Sequence, residues 1–234
     1  MDRENRLLAM LPADVIEHIR PHLDPVHLEI GQVVAEDGLR LRHAYFPVEA
    51  VCSVLIYAED GDSLEVGLVG SEGMISTATF LSDGVGVGEV IVQRPGLALR
   101  MPAEMLRQAF ESAPALRALL LRYTQGFMTQ VAQSCACNGL HPIGQRCARW
   151  LLMMGDRADT EEFDLSQALL ARMLGVGRPT VSLATAELRN AGLVRFSRGR
   201  VAILDRSGLE SSACACYGII TAELERLLHT LGAD

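Results

Sequence analysis

"MLGVGRPTVSLATAEL", residues 173–188, decides how the rest of the chain is read. Two short helices that cross steeply need three things. They need a small residue where the backbones approach, a Gly that can take a positive φ in the turn, and apolar residues that lock the pair. Ala171 is the small residue, and Gly175 follows four residues later, in the turn. Leu170, Leu174, Val176, Val181 and Ala184 supply the lock. The second helix starts near Arg178, and Pro179 suits its first turn, where the missing N–H costs no hydrogen bond. Downstream, "LVRFSRGRVAILD" reads as two strands around a Gly turn, which turns a helix-turn-helix into a winged one. A helical hairpin with no partner is the plain alternative, and the two strands count against it.

Such a unit places the start of its second helix in a groove of double-stranded DNA. Arg178, Thr180 and Ser182 are predicted to be exposed near that end, with Leu183 on the next flank. Arg178 has the fork to reach a guanine edge or a phosphate. Thr180 and Ser182 are short donors suited to phosphates or single base contacts. Arg189 lies further along and is assigned to the DNA backbone. Arg198 and Arg200 flank the wing's Gly, where two guanidinium groups suit phosphate.

The overall charge argues the other way: −8, with 21 basic residues, all Arg. The charge is unevenly spread, however. Residues 143–207 hold 10 Arg against 7 acids, a net +3, so the acid excess lies elsewhere. "MDRENRLLAM" is charged and lacks the apolar core of a signal peptide. No apolar run reaches the ~18 residues of a membrane span. A cytoplasmic protein with reduced thiols is expected, with no membrane partner. No nucleophile–base pair, paired carboxylates or metal motif appears in a plausible context, so no enzyme and no cofactor are predicted.

At the other end of the chain, residues 1–24 read as short helices, with Pro12 and Asp14 at a helix start and Val15, Ile16 and Ile19 on its apolar face. From Val26 to Met101, short apolar runs alternate with Gly, Asp and Pro, and "EDGD" at 59–62 signals a hairpin turn. This texture predicts a barrel or sandwich. Pro102 opens a helix, and a longer one extends from Pro114 to about Gly139. Its apolar positions Leu116, Leu120, Tyr123, Phe127 and Val131 form one stripe, expected to meet a twin helix in a homodimer. Burial inside a monomer is the alternative. His141-Pro142 marks the domain boundary. The predicted organisation is α+β: a strand-rich domain with N-terminal helices at 1–112, a dimerisation helix at 113–140, and a winged helix-turn-helix with a helical extension at 141–234. "DTEEFD" reads as an acidic loop, and 206–231 as helical.

This order resembles the Crp/Fnr superfamily of bacterial transcription regulators over nearly the whole chain. The resemblance implies a jelly-roll-like β-roll of the cyclic-nucleotide-binding type, a homodimer through the long helix, and RNA polymerase as a candidate partner. The family's recognition helix often runs Arg-Glu-Thr-Val-Ser-Arg. Here Arg178, Thr180 and Ser182 match, whereas Pro179 and Leu183 replace the acid and the second Arg. In the roll, Gly70, Glu72 and Gly73 stand where the family's phosphate cassette would put its glycines and its acid. The segment Leu81–Val90 contains no Arg, so the effector is expected to be something other than cyclic AMP, or absent. Turns of the roll explain the same glycines equally well. The family's iron–sulfur members carry an N-terminal Cys group, and no Cys precedes Cys52 here. Cys135/Cys137 and Cys214/Cys216 lack zinc-ribbon or ferredoxin spacing and are expected to be buried free thiols. His141 is assigned to the hinge. The competing function is a small-molecule or protein-interaction module whose winged helix no longer serves DNA.

Overall fold

The computed structural model describes residues 4–229. The readings for positions 1–3 and 230–234 lie outside those residues. Contacts divide the chain into two units: one holds the residues up to Val54, Val69–Thr129 and those from Glu223; the other holds Leu55–Leu68 and Gln130–Ala222. The division falls within the long helix, because that helix gives part of its length to each unit.

The first unit begins with a 3-10 turn, Leu8–Met10, and helix α1, Ala13–Ile19, capped by Pro12. Asp14 lies in its first turn, where an acid favours the helix dipole. Strands come next: β1 (Asp24–Leu28), β2 (Val33–Ala35), β3 (His43–Pro47), β4 (Val51–Tyr57) and β5 (Ser63–Val69), of which the hairpin part Leu55–Leu68 belongs to the second unit. After a one-turn helix, α2 (Ala78–Leu81), come β6 (Glu89–Arg94) and β7 (Gly96–Pro102). They form two sheets, ordered β1-β7-β3 and β2-β6-β4-β5. The predicted hairpin turn is present: Ala58 N–H donates to the Asp62 carbonyl at 2.8 Å, and Gly61 takes φ +88°.

Helix α3 (Ala103–Ser112) starts directly after Pro102, and α4 (Pro114–Leu140) comes after it. Leu116, Leu119, Leu120 and Tyr123 of α4 are buried with Phe46, Met74, Met101 and Leu106 in one apolar cluster, joined by Leu227. The stripe expected to face a twin helix is thus turned largely into the chain's own core. The reason is that a β-roll of this size needs an apolar cover, and α4 supplies it. Phe127 packs partly buried on the same cluster, and Val131 is half-buried.

The second unit contains α5 (Ile143–Ala158), β8 (Glu162–Asp164), α6 (Gln167–Leu174), α7 (Arg178–Asn190), β9 (Val194–Ser197) and β10 (Arg200–Ile203). It continues with α8 (Arg206–Ser212) and the first half of α9 (Cys216–His229). The acidic stretch expected as a loop contains a strand. Phe163 alternates inward between exposed Glu162 and Asp164, and β8 pairs antiparallel with β10. The resulting sheet is ordered β8-β10-β9. The fold is α+β, with antiparallel sheets, a long helix and a C-terminal winged helix-turn-helix. Among the described residues, no helix is long and apolar enough to cross a membrane.

Candidate nucleic-acid interface

The helix-turn-helix is built by local rules. Ser166 caps α6, its Oγ accepting from Leu169 N–H at 3.1 Å. Gly175 closes α6 at φ +60°, the left-handed conformation that ends helices. Its N–H donates to the Arg172 carbonyl, and the Val176 N–H returns to Ala171. Arg146, a buried residue of α5, donates to the Leu174 carbonyl and satisfies one of the acceptors α6 leaves at its end. Gly177 then caps α7, with Pro179 in the first turn.

Burial sorts the two faces of α7. Val181, Ala184, Thr185 and Leu188 are buried. Arg178, Pro179, Thr180, Leu183 and Arg189 are exposed. Leu183 is 69% exposed. Ser182 is half-buried, and its hydroxyl donates to Gln167 Oε1 at 2.8 Å, joining α7 to the start of α6. Its hydroxyl is therefore engaged within the motif.

In the wing, Arg198 and Gly199 form the tip with φ +49° and +79°. The two arginines flanking Gly199 differ. Arg200 reaches Glu162 at 3.2 Å and Asp164 at 3.3 Å, held there by the β8–β10 pairing. Arg178, Arg189, Arg195 and Arg198 make no ion pair with any described residue. Those four guanidinium groups are available to phosphate.

Three contacts escaped sequence reasoning. The Arg172 guanidinium lies 5.6 Å from the centre of the Tyr57 ring, bonds the Tyr57 hydroxyl, and donates to Ser63 Oγ at 3.2 Å. Trp150 Nε1 donates to buried Glu65 at 2.9 Å. A Cβ on Gly175 would stand 2.7 Å from Leu64 Cδ1. The far end of the β4–β5 hairpin is thus seated on the helix-turn-helix. No local signal couples residues about a hundred positions apart.

The three residues proposed for an effector are engaged internally. The Glu72 carboxylate accepts from Gly70 N–H at 3.1 Å and is buried. Asn5 Nδ2 donates to the carbonyls of Gly73 and Pro47. Tyr123 donates to the Met74 carbonyl at 2.8 Å, and a Cβ on Gly73 would lie 2.5 Å from its oxygen. A separate concavity of the first unit is lined by Arg40, Arg42, His43, Glu104 and Arg107. Burial, and then Arg100 and Arg42, hold His43 below its ordinary value.

An exposed helix start, a wing with free arginines and a tightly capped turn define a winged helix-turn-helix DNA-binding protein. Residues 145–212 match the model of the Crp-like helix-turn-helix domain. Over 205 residues, 85% of this chain and 92% of the relative, the sequence is 23% identical to a CRP-like cAMP-activated global transcriptional regulator of Mycobacterium tuberculosis. Among solved structures, a Crp/Fnr-family protein of Eubacterium rectale matches with TM-score 0.70 at 17% identity, covering 89% of this chain and 98% of that one. A CRP-family transcriptional regulator of Thermus thermophilus matches with TM-score 0.68 at 20% identity, covering 80% and 96%. Residues 145–212 thus carry a Crp-like helix-turn-helix domain, and over most of its length the chain is similar to Crp/Fnr-type DNA-binding transcription regulators.

Proposed function

We propose that the protein acts in the cytoplasm as a homodimer that reads a two-fold symmetric DNA site with the N-terminal end of α7. The exposed set Arg178, Thr180 and Leu183, set against buried Val181, Ala184 and Leu188, carries this reading. Arg178 reads a base edge, and Leu183 meets a thymine methyl, the apolar feature of the major groove. Thr180, Arg189 and Arg198 hold phosphates, while Ser182 and Arg200 position the motif and the wing. With Pro179 and Leu183 in place of an acid and an Arg, the preferred half-site differs from one read by Arg-Glu-Thr-Val-Ser-Arg.

The dimer seam is assigned to the outer face of α4. Ala118, Leu121, Gln125, Met128 and Ala132 are exposed and alternate at spacings of three and four, the repeat of a two-helix seam. Leu121 and Met128 are 47% and 60% exposed. Light scattering tests this assignment. The native chain gives a dimer mass, and Met128→Glu gives a monomer with an unchanged circular-dichroism spectrum. A dimer mass in Met128→Glu would place the seam elsewhere.

The effector is something other than cyclic AMP, or absent. Glu72 is buried and bonded to its own loop, leaving its carboxylate engaged away from a ribose. Calorimetry with cyclic AMP should show no heat of binding.

A further inference from the structure

Four side chains with metal-binding atoms meet at the end of α4. Cys137 and His141 lie one turn apart there; His141 N–H donates to the Cys137 carbonyl at 3.1 Å. Cys214 and Cys216 lie at the α8–α9 junction, Cys216 opening α9. Their three sulfurs and a His141 ring nitrogen all fall within 4.8 Å of one another. Cys137 Sγ is 3.3 Å from Cys214 Sγ, and Cys216 Sγ is 3.6 Å from His141 Nδ1. Bonds of about 2.3 Å to sulfur and about 2.0 Å to nitrogen give tetrahedral edges of about 3.5–3.8 Å. The four atoms therefore sit close to the size of one coordination shell before any ion is considered. All three cysteines are buried.

The surroundings lack a negative charge. Arg146 and Arg149, in the first half of α5, are buried, and neither meets a carboxylate among the described residues. Both leave Nε without an acceptor, as does the Nδ2 of Asn138, the residue after Cys137. Buried cations without a counter-charge are costly. Arg149 acts electrostatically on all three cysteines, and Arg146 on Cys137 and Cys214. Cys52 and Cys147 are also buried but lie outside this cluster.

We propose that Cys137, His141, Cys214 and Cys216 bind one zinc ion as a closed structural site. The three thiols bind as thiolates and give three protons to solvent; neutral His141 binds through Nδ1. The site's net charge becomes −1, the anion that Arg146 and Arg149 lack. Four protein ligands leave no open position for water, so the site is structural rather than catalytic. The ion joins the end of α4 to the loop before α9, tying together the chain segments that enter and leave the winged helix-turn-helix.

Elemental analysis of the full-length protein, purified under reducing conditions without chelator, tests this. About one zinc per chain is expected in the native protein and in Cys135→Ser, whose thiol is exposed and outside the cluster. His141→Ala and Cys214→Ser should retain at least about tenfold less. Cobalt(II) added to metal-free native protein should give intense tetrahedral visible bands and thiolate charge-transfer absorption. This readout stands even where a variant fails to fold. Three results would overturn the proposal: native protein that neither carries zinc nor takes up cobalt through thiolates, a Cys137–Cys214 disulfide in place of metal, or iron with labile sulfide at these residues.

Discussion

Two glycine-marked turns use their backbone in opposite ways. At 70–73 the polar groups point inward. Glu72 accepts from its own loop, Asn5 holds the Gly73 carbonyl, and Tyr123 stands where a Gly73 side chain would be. At 175–178 the backbone is as tightly closed, yet the next side chains stand in solvent. The first turn leads into buried Met74 and Ile75; the second leads into the exposed first turn of a helix. A glycine therefore marks a core contact in one place and a presented surface in the other. The residues on its C-terminal side decide between the two.

Substitutions on each side should separate accordingly. Leu120→Ala, emptying a fully buried site, should cost about 2–5 kcal/mol in urea denaturation. Leu183→Ala should change stability by less than about 0.5 kcal/mol while altering which half-site is selected. Equal losses from the two would erase the distinction. Gly73→Ala should cost about 1–3 kcal/mol by displacing Tyr123. Gly177→Ala, which meets only Pro179 Cδ at 3.6 Å, should cost under about 1 kcal/mol. Arg178→Ala should weaken specific DNA binding by about 1–3 kcal/mol and leave binding to random duplex nearly unchanged. Equal loss on both would assign Arg178 to phosphate. The smallest effect belongs to the wing. Arg198→Ala should reduce the salt slope of DNA binding by about 1, and Arg200→Ala by less, because Glu162 and Asp164 already hold it.

The sequence was most legible where physics is local. The helix starts at Pro102 and near Arg178, the hairpin at 59–62 and the turn at Gly175 come from residue types within a few positions. Which face of α4 meets the core did not, since apolar residues surround that helix and only the β-roll's shape selects among them. β8 was masked by its acids; Phe163 was its one apolar signal. The Cys137–His141 pair and the Cys214–Cys216 pair are separated by more than seventy residues and fit no familiar spacing, so only folding brings them together. Ser182 and Arg200 were read as DNA contacts from their positions alone; the partners they have in the fold, Gln167 and the β8 acids, lie on other elements.

Everything proposed for this protein's function depends on the exposed start of α7 reading DNA. Selection from a random-sequence duplex library, with a salt titration on the winning site, puts that to the test. A two-fold symmetric site is expected, with half-sites about one helical turn apart, affinity falling steeply with salt, and a changed half-site for Arg178→Ala. No enrichment at low salt, or the same enriched site with Arg178→Ala, would refute it.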